Sequence, residues 1–436
     1  MVTDGWLGCT TTGACPGCTM TSAAPANPAA TTPATSPITA ANHVVRALML
    51  PLPRGPAGRR DPAFRDQGED VQSGCRRGRL CYRGRALTVR TPALDIALAI
   101  SLRPTDAPLA SREDLAELDG DDVLNAVRGA LATRGSVRVW DTATLGPAAI
   151  AAEPRPDLIF NLSEGVTGSG REAQAPALFE WLQWPYVGSD PVTLAIAHDK
   201  WHTKRILVAD GIPTPAARLV QDPRDAALVD LAFPLIVKPV AEGSGKGIHD
   251  EDVVSSPDEL AACARRKLAR FRQPVIVEEF LPGRELTVAL IGNTGAWDVL
   301  PLVEVNFPAV GGGRHRVFGY EAKWSEPTPD DLLCPAPVGD ALRKEIEALA
   351  TATCDALRVR DWARVDVRLD ADGRPSVLDV NPLPGIMPGD GDISCFTRAA
   401  FAAGLRYDDL IRRLVDTALE RYRSGSFLSY RPGPTA

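Results

Sequence analysis

Residues 361–388 constrain the fold of this chain more than any other stretch, because their pattern predicts a β-hairpin. Val365, Val367 and Leu369 alternate with charged residues, as in a strand with one buried face. Asp372-Gly373 follows this run and predicts a two-residue type I′ corner, which needs φ > 0 at both positions. A corner at this place determines which residues of the two strands lie opposite each other.

The register that this corner predicts brings like charges together. Asp366 lies opposite Asp379, and Arg364 lies opposite Asn381 on the same face. Directly opposed carboxylates destabilise a ladder, so a bound cation is one explanation for the pair. Two carboxylates and a carboxamide suit a hard ion such as Mg²⁺ or Mn²⁺. A solvated outer face is the other explanation, and these residues alone leave both open.

The composition is that of a globular protein with a basic N-terminal segment. Of the 436 residues, 44% are hydrophobic and 24% charged, and the formal net charge is −7. Residues 1–92 carry eleven Arg against five Asp and Glu, so the remainder is acidic and a nucleic-acid partner is not expected. No apolar run reaches the about 18 residues of a membrane span, and no secretory signal is recognisable. The Cys spacing is not a disulfide framework, so we expect a cytoplasmic protein without a membrane partner.

Lysine is scarce, and its positions are therefore informative. The chain has seven Lys against 41 Arg, and none of the lysines precedes Lys200. Lysine is a compact point charge that suits phosphate groups. The seven are Lys200, Lys204, Lys238, Lys246, Lys267, Lys323 and Lys344.

The order of patterns predicts an α/β (α+β) protein with several domains. Residues 1–92 are expected to be a disordered, basic extension, and the strand and helix patterns of residues 93–190 predict a small parallel α/β domain. A second unit is expected over residues 191–272. Residues 273–430 are expected to form an antiparallel sheet in which residues 275–280 join the hairpin.

A glycine-rich loop follows a predicted strand of the second unit. The strand ends at Lys238, and residues 240–247 read Val-Ala-Glu-Gly-Ser-Gly-Lys-Gly. Glycines let backbone N–H groups approach a phosphate closely, and Lys246 adds positive charge. The pattern is not that of a P-loop, which needs Ser or Thr after the lysine.

The succession of these motifs resembles the D-alanine–D-alanine ligase superfamily of ATP-grasp enzymes over residues 93–425. The resemblance rests on the segments 185–190, 199–200, 237–245, 277–285 and 321–323, together with the hairpin. It implies an ATP-grasp fold that follows the small parallel domain. It also implies ATP and Mg²⁺ (or Mn²⁺) as cofactors.

The resemblance assigns roles to individual residues. Those implied to bind ATP are Lys200, Lys238, Gly243, Ser244, Gly245, Lys246, Glu278, Leu281, Glu285 and Lys323. Asp366, Asp379 and Asn381 are implied to bind the metal. Arg364 is implied to stabilise the tetrahedral intermediate, and Ser244 is assigned to the catalytic group as well.

The segments near the expected substrates depart from the family pattern. Glu164-Gly165 stands where the family carries a His-Gly pair, and Trp324 stands where it carries a Tyr. Ser244 is retained, but residues 103–106 offer no Glu to complete the family's Glu–Ser–Tyr link. Glu164 and Arg171 either hold a larger or differently charged substrate or form a surface ion pair with each other.

Three functions follow from these patterns. The first is an ATP-dependent carboxylate–amine ligase that forms an amide bond through an acylphosphate. The second is an amide ligase of specialised peptide or antibiotic biosynthesis with other substrates. The third is a catalytically silent ATP-binding scaffold. The expected partners are small, amino acid-like carboxylate and amine substrates, and a homodimer is one possible assembly.

Overall fold

The computed structural model of the chain describes residues 81–82, 85–86, 93–104, 113–310, 313–324, 328–389 and 394–425. The predicted disorder of residues 1–92 therefore concerns residues outside the described part, except for one short antiparallel ladder. This ladder pairs Cys81–Tyr82 with Arg85–Ala86.

The first domain is a parallel sheet of four strands in the order β2-β1-β3-β4. Its strands are β1 Leu94–Ile100, β2 Gly135–Asp141, β3 Leu158–Leu162 and β4 Tyr186–Val187. Its helices are α1 Asp121–Ala132, α2 Pro147–Ala151 and α3 Gln174–Trp181. Strands β1 and β3 are nearly continuous apolar runs because helices cover both faces of the sheet. The predicted parallel α/β domain is confirmed.

The second unit is an antiparallel sheet of four strands in the order β5-β8-β6-β7. The strands are β5 Ala217–Val220, β6 Leu235–Pro239, β7 Val253–Val254 and β8 Val275–Glu279. The helices are α4 Pro191–His198, α5 Lys200–Ala209 and α6 Pro257–Phe271. The prediction that residues 275–280 join the hairpin's sheet is wrong, because β8 pairs with β5 and β6. A division of the chain between residues 272 and 273 separates β8 from these partners.

The third unit is an antiparallel sheet of six strands that contains the hairpin. Its strands are β9 Glu285–Asn293, β10 Ala296–Val299, β11 Val303–Val305, β12 Leu332–Leu333, β13 Arg360–Leu369 and β14 Pro375–Asn381. The order is β12-β11-β9-β13-β14, and β10 also pairs with β9. The helices are α7 Phe307–Val310, α8 Tyr320–Trp324, α9 Asp340–Ala356, α10 Cys395–Ala402 and α11 Tyr407–Arg423.

Helices cover both faces of this sheet and fix its position against the first domain. Helix α9 packs on one face through Ile346, which shares a buried cluster with Val365. On the other face, Phe396 of α10 packs edge-on against Trp362, with ring centroids 5.2 Å apart. The cluster around Trp362 also contains residues of β1 and β3, such as Leu98, so the two units share one core.

A buried ion pair joins the same two units. Asp361 is completely buried and accepts two hydrogen bonds of 2.8 Å from Arg421. The Gly188 N–H, just after β4, donates to the same carboxylate at 2.8 Å.

Across the described ranges, no helix combines the length and apolar composition that crossing a membrane requires.

Candidate active site

A cavity of about 250 Å³ is lined by the first domain, the glycine-rich loop and the hairpin's sheet. One wall carries the carboxylates Glu117 and Asp119, and another carries the cations Lys323 and Arg364. Such a cavity can hold a small polar molecule with separated charges. Eight residues singled out in the sequence line it, namely Glu164, Gly243, Ser244, Lys323, Trp324, Arg364, Asp366 and Asn381.

The hairpin places Arg364, Asp366 and Asn381 in the lining of this cavity, and Asp379 lies opposite Asp366. Asp366 lies opposite Asp379, and Arg364 lies opposite Asn381, so the predicted register is confirmed at these positions. The Asn381 amide also lies 3.3 Å from an Asp366 carboxylate oxygen. The like charges are therefore real neighbours across the ladder.

The corner that produces this register differs from the predicted one. The Asp370 N–H donates to the Arg374 carbonyl, so three residues form the loop, and Gly373 among them has φ of +82°. This is a three-residue loop with a left-handed glycine, and the predicted two-residue corner is wrong. A β-bulge at Leu378 then shifts β14 by one residue and restores the predicted position of Asp379.

Arg364 neutralises Asp366 directly. Its Nε and Nη2 atoms donate to the two oxygens of Asp366 at 2.9 and 2.8 Å, and the Thr287 hydroxyl donates to the same carboxylate at 3.0 Å. Burial raises the pKa of Asp366, but Arg364, Lys323 and Thr287 together lower it by more, so it lies below the ordinary value. Burial and the neighbouring Arg364 lower the pKa of Lys323. This wall of the cavity thus combines the Arg364–Asp366 ion pair with the nearby Lys323 ammonium.

Two predicted lysines lie behind the hairpin and are buried. The Lys200 ammonium lies 3.2 Å from the Asp379 carboxylate and donates to the Glu242 carbonyl at 2.8 Å. Burial lowers the pKa of Lys200, but Asp379 raises it by more. Lys238 donates to the Glu278 carboxylate at 2.7 Å. The two lysines therefore reach different carboxylates.

The residues expected to bind adenine and ribose lie on β8, on β9 and in the connection between them. Glu278 is completely buried, and Leu281 is 8% exposed in the connection between the two strands. Glu285 begins β9 and accepts a 2.8 Å hydrogen bond from Arg368. Burial raises the pKa of Glu285 more than Arg368 lowers it. These three residues flank the connection between the second and third units and do not line the cavity.

The glycine-rich loop of residues 240–247 has a backbone that few residue types tolerate. Ser244 has φ of +51° and Gly245 has φ of +77°. A Cβ atom on Gly245 would lie 3.0 Å from the carbonyl carbon of Gly319. Left-handed backbone at a non-glycine residue is uncommon, and strained residues cluster at functional sites.

Two carboxylates of the first domain bind backbone N–H groups of this loop. Glu117 accepts from the Gly243 N–H, and Glu113 accepts from the Gly247 N–H at 2.8 Å. Arg171 holds the Glu117 carboxylate in turn, with both oxygens 2.6 Å from its Nη2 atom. These two carboxylates therefore attach the loop to the first domain. They occupy backbone N–H groups of the kind that glycine-rich loops offer to phosphates.

Trp324 attaches the loop on its other side. Its indole N–H donates to the Ser244 carbonyl at 3.2 Å, so the contact uses the loop backbone instead of the serine side chain. The carboxylates that reach the loop are those of Glu113 and Glu117, outside residues 103–106. Asp106 itself lies outside the described residues.

The predicted surface ion pair between Glu164 and Arg171 is wrong. Arg171 is 7% exposed, and its ion pairs are with Glu117 and Glu242. Glu164 lines the cavity, where burial and the neighbouring Glu172 raise its pKa well above the ordinary value. Its negative charge is thus poorly compensated in this structure.

Two further predicted residues line a different cavity. Gly165 and Lys246 line a neighbouring cavity of about 510 Å³, where the Lys246 ammonium lies 3.0 Å from Glu242. Asp119 lines the first cavity, and burial together with Asp122 raises its pKa to about 7.

The donors at the hairpin fit a hard divalent cation. Asp366, Asp379 and Asn381 offer only oxygen ligands, which Mg²⁺ and Mn²⁺ prefer. Within the described ranges, no cluster of three or more His, Cys, Asp or Glu side chains suits a metal, so phosphate oxygens or water would complete the shell. The Asp366 and Asp379 carboxylates each lie beside a side-chain cation, Arg364 and Lys200 respectively. The site therefore already accommodates positive charge.

Sequence reasoning missed several residues of the site. Glu113 and Glu117 lie in a segment of turns and match no ligand-binding motif, so no sequence signal assigned them to the site. Lys204 follows Lys200 by one helical turn and is one of only seven lysines, and this spacing was the available signal. Thr287 pairs with Asp366 across β9 and β13, a pairing that only the sheet order reveals.

Comparisons with known protein sequences point to one family. The family model described as D-ala D-ala ligase C-terminus matches residues 214–416. The uncharacterized protein y4sG of Sinorhizobium fredii is 34% identical over 273 residues, which are 62% of this chain and 77% of that protein. D-alanine–D-alanine ligase of Gloeobacter violaceus is 35% identical over 301 residues, which are 68% of this chain and 93% of that protein.

Solved structures agree on the fold. The crystal structure of D-alanine–D-alanine ligase from Bacillus anthracis superposes with a TM-score of 0.59 at 23% identity, covering 76% of this chain and 100% of that one. The same ligase complexed with ATP superposes with a TM-score of 0.56 at 20% identity. The predicted ATP-grasp fold, preceded by a parallel α/β domain, is confirmed by this likeness.

Proposed function

Because the chain belongs to the D-alanine–D-alanine ligase family of ATP-grasp enzymes, we propose that its cavity is where ATP activates a carboxylate for attack by an amine. The chain is an ATP-dependent ligase that forms a carbon–nitrogen bond, as predicted from its sequence. A carboxylate is a poor electrophile, so its oxygen first attacks the γ-phosphate of ATP and ADP leaves. The amine then attacks the carbonyl carbon of the acylphosphate, and the amide forms as phosphate departs.

One observation supports this chemistry above all others, namely the placement of side-chain cations around the hairpin carboxylates. Arg364 donates to Asp366 at 2.8 Å, and Lys200 lies 3.2 Å from Asp379. Lys323 is close enough for Arg364 to lower its pKa. Phosphoryl transfer depends mainly on positioning and on neutralising phosphate charge, which such cations provide.

We assign ATP to the cleft between the second and third units, beside the cavity. Lys200, Lys238 and Lys323 would contact phosphates, and the loop of residues 240–247, with Gly243, Ser244, Gly245 and Lys246, would cover them. Glu278 and Leu281 would hold adenine, and Glu285 the ribose. Binding of the nucleotide requires Lys238 to divide its hydrogen bonds between Glu278 and a phosphate.

Asp366, Asp379 and Asn381 would hold Mg²⁺ or Mn²⁺ together with phosphate oxygens. A divalent ion at this position neutralises the charge that develops on the phosphates during transfer. Lys200, which lies 3.2 Å from Asp379, would then be free to contact phosphate.

Arg364 and Ser244 are the residues that we place nearest to the reacting carbonyl. Both line the cavity. The guanidinium is planar and always charged, so it suits the oxyanion of the tetrahedral intermediate. Ser244 has a left-handed backbone, and its carbonyl accepts a hydrogen bond from the Trp324 indole, which holds the backbone that carries the hydroxyl.

The substrates are small and amino acid-like, and we propose that they are not two D-alanine molecules. Glu164 and Trp324 line the cavity, and Gly165 lies beside it, in the places where the family pattern differs. The raised pKa of Glu164 reflects a poorly compensated acid that suits a substrate with additional positive charge. This observation favours the second candidate, an amide ligase of specialised peptide biosynthesis.

A catalytically silent scaffold is the weakest alternative. Lys200, Lys238, Arg364 and Asp366 are retained and paired, whereas buried charges without a function are costly to keep. A cytoplasmic location and a homodimer stay predictions from the sequence.

A substrate screen tests the proposal. The purified full-length protein is incubated with ATP, Mg²⁺ and pairs drawn from D- and L-amino acids and short amines, and phosphate release and product mass are both measured. We expect one pair to give an amide product with stoichiometric phosphate. Asp379→Ala should abolish it, and Lys344→Met, a change at an exposed lysine, should not.

Two outcomes would contradict parts of this assignment. Phosphate release that no amine or acid stimulates, or that survives Asp379→Ala, refutes the ligase assignment of the hairpin. Rapid formation of D-alanyl-D-alanine, with kcat in the ordinary enzyme range of about 1–10³ s⁻¹, refutes the substrate hypothesis alone.

A further inference from the structure

Lys204 is a buried lysine that none of the assigned roles uses. It lies one turn after Lys200 on α5 and is 4% exposed. Its ammonium donates to the Thr214 hydroxyl at 2.7 Å and lies 3.4 Å from the Glu278 carboxylate. Burial lowers the pKa of Lys204 by more than Glu278 raises it. A buried cation is costly, and beyond its ion pair with Glu278 this one donates a short hydrogen bond to a hydroxyl, which calls for an explanation.

The Thr214 hydroxyl links Lys204 to the hairpin by two hydrogen bonds. It accepts from Lys204 and donates to the Val377 carbonyl at 2.7 Å. The Val377 N–H donates to the Pro213 carbonyl at 2.8 Å. Both backbone polar groups of Val377 are thus bound by residues 213–214, along the outer edge of strand β14.

Val377 lies directly before the β-bulge that positions the proposed metal ligand. Val377 is opposite Val367, whereas Asp379 is opposite Asp366, so Leu378 is the extra residue. Without the bulge, Leu378 would lie opposite Asp366, because a slip of one residue turns every side chain to the other face. The position of Asp379 therefore depends on what keeps the bulge in place.

Helix α5 holds this strand on both sides of the bulge. Lys200 binds Asp379 after the bulge at 3.2 Å, and Lys204 binds Val377 before it through Thr214. The two lysines are four residues apart and point from the same helix face. The extra residue, Leu378, lies between the two points of attachment.

We propose that Lys204 and Thr214 are positioning residues that keep β14 in its bulged register and thereby hold Asp379 opposite Asp366. The consequence for metal binding rests on the proposed function, whereas the clamp on Val377 does not. Lys204 acts through Thr214 and touches no reacting group. Removing the Thr214 hydroxyl should loosen the strand without removing any proposed ligand.

The test uses Thr214→Val, which keeps the shape of the side chain and removes the hydroxyl, with Thr214→Ser as the conservative rescue. Thr351→Val is the matched control, since Thr351 is also half-buried and donates to a backbone carbonyl at 2.8 Å, on α9. Lys204→Met probes the same chain of hydrogen bonds from its other end. Two readouts are taken on the full-length protein. One is hydrogen–deuterium exchange of the segment 376–380, and the other is Mn²⁺ binding with ADP by electron paramagnetic resonance.

We expect Thr214→Val to speed amide exchange of residues 376–380 severalfold and to weaken Mn²⁺ binding about 10-fold, the usual effect of losing a partner that orients a metal ligand. Thr214→Ser and Thr351→Val should match the unmodified protein. Unchanged exchange and unchanged Mn²⁺ affinity in Thr214→Val would overturn the clamp. If the unmodified protein binds no Mn²⁺, the metal site is refuted, and the exchange measurement by itself decides the clamp.

Discussion

Glu117 offers the sharpest test of how the glycine-rich loop is held. Its carboxylate accepts from the Gly243 N–H and from Arg171. Glu117→Ala removes the charged acceptor of the loop and leaves Arg171 with Glu242 at 3.2 Å. A hydrogen bond to a charged group contributes about 1.5–3 kcal/mol. Loss of about 2 kcal/mol raises the open population of the loop about 30-fold, since 1.36 kcal/mol is a factor of ten.

Hydrogen–deuterium exchange of the loop measures this opening directly. Exchange at Gly243 should accelerate about 30-fold in Glu117→Ala, because amide exchange reports local opening. The Gly247 amide should change less, since Glu113 still accepts its hydrogen at 2.8 Å. Glu117→Gln should lie between, because it keeps an oxygen acceptor and loses the charge. The KM for ATP should rise in the same order.

The pH dependence follows from the pKa of Glu117. Burial raises this pKa, but Arg171 and the Gly243 amide lower it by more, so it lies below the ordinary value of 4.5. A depressed carboxyl pKa stabilises the contact above the ordinary value and loses that effect as the pH falls through the folded value. Protection of Gly243 should therefore be constant near neutral pH and disappear only in acid.

The control is Glu153→Ala, which removes a half-exposed carboxylate that pairs with Arg138 at the surface of the same domain. It should leave loop exchange unchanged. If exchange at Gly243 in Glu117→Ala stays within twofold of the unmodified protein, the loop is held by something else and the reasoning fails.

Four further predictions concern the cavity and its support. Asp379→Ala should abolish turnover and lower the melting temperature, because the buried Lys200 loses its carboxylate partner; Mg²⁺-dependent activity in this variant would refute the metal assignment. Arg364→Lys should lower kcat strongly with little change in ATP affinity, since a lysine lacks the planar fork, and weaker nucleotide binding with intact turnover would move this arginine to the ATP site. The raised pKa of Glu164 disfavours its ionised form in the folded protein, so its cost appears as pH rises above 4.5; Glu164→Gln should raise Tm near neutral pH and have no effect near pH 4, and equal shifts at both would exclude this cause. Arg421→Met should cost about 3–5 kcal/mol in urea unfolding, because it leaves the fully buried Asp361 without its cation, and a loss of less than about 1 kcal/mol would show that Asp361 is satisfied by backbone donors alone.

The hairpin shows how far local pattern reaches. Alternation around Val365 and a turn signal at Gly373 were enough to place Asp366 opposite Asp379. The observed register matches the predicted one because two deviations cancel. The loop is one residue longer than predicted, and the bulge at Leu378 adds one residue to β14. Both deviations depend on contacts outside the hairpin, including the clamp at Val377, and no local pattern encodes them.

Strand β8 shows where local pattern ends. Its run of apolar residues predicted a strand correctly, but the choice between two antiparallel sheets depends on partners far along the chain. Periodicity reports which face of a strand is buried and carries no record of the neighbour that buries it. The same limit applies to Glu278, whose strand was predicted and whose two lysine partners became clear only in the folded chain.

The sequence by itself determined the kinds of residue that the site contains. Scarce lysines, a glycine-rich loop and acidic residues on one hairpin face arise from spacing within short segments, where backbone geometry alone relates the side chains. Tertiary structure decided which of them meet. Glu117 reaches Gly243 across 126 residues and Thr214 reaches Val377 across 163, and such contacts exist only because the packing of whole domains brings distant segments within hydrogen-bond distance.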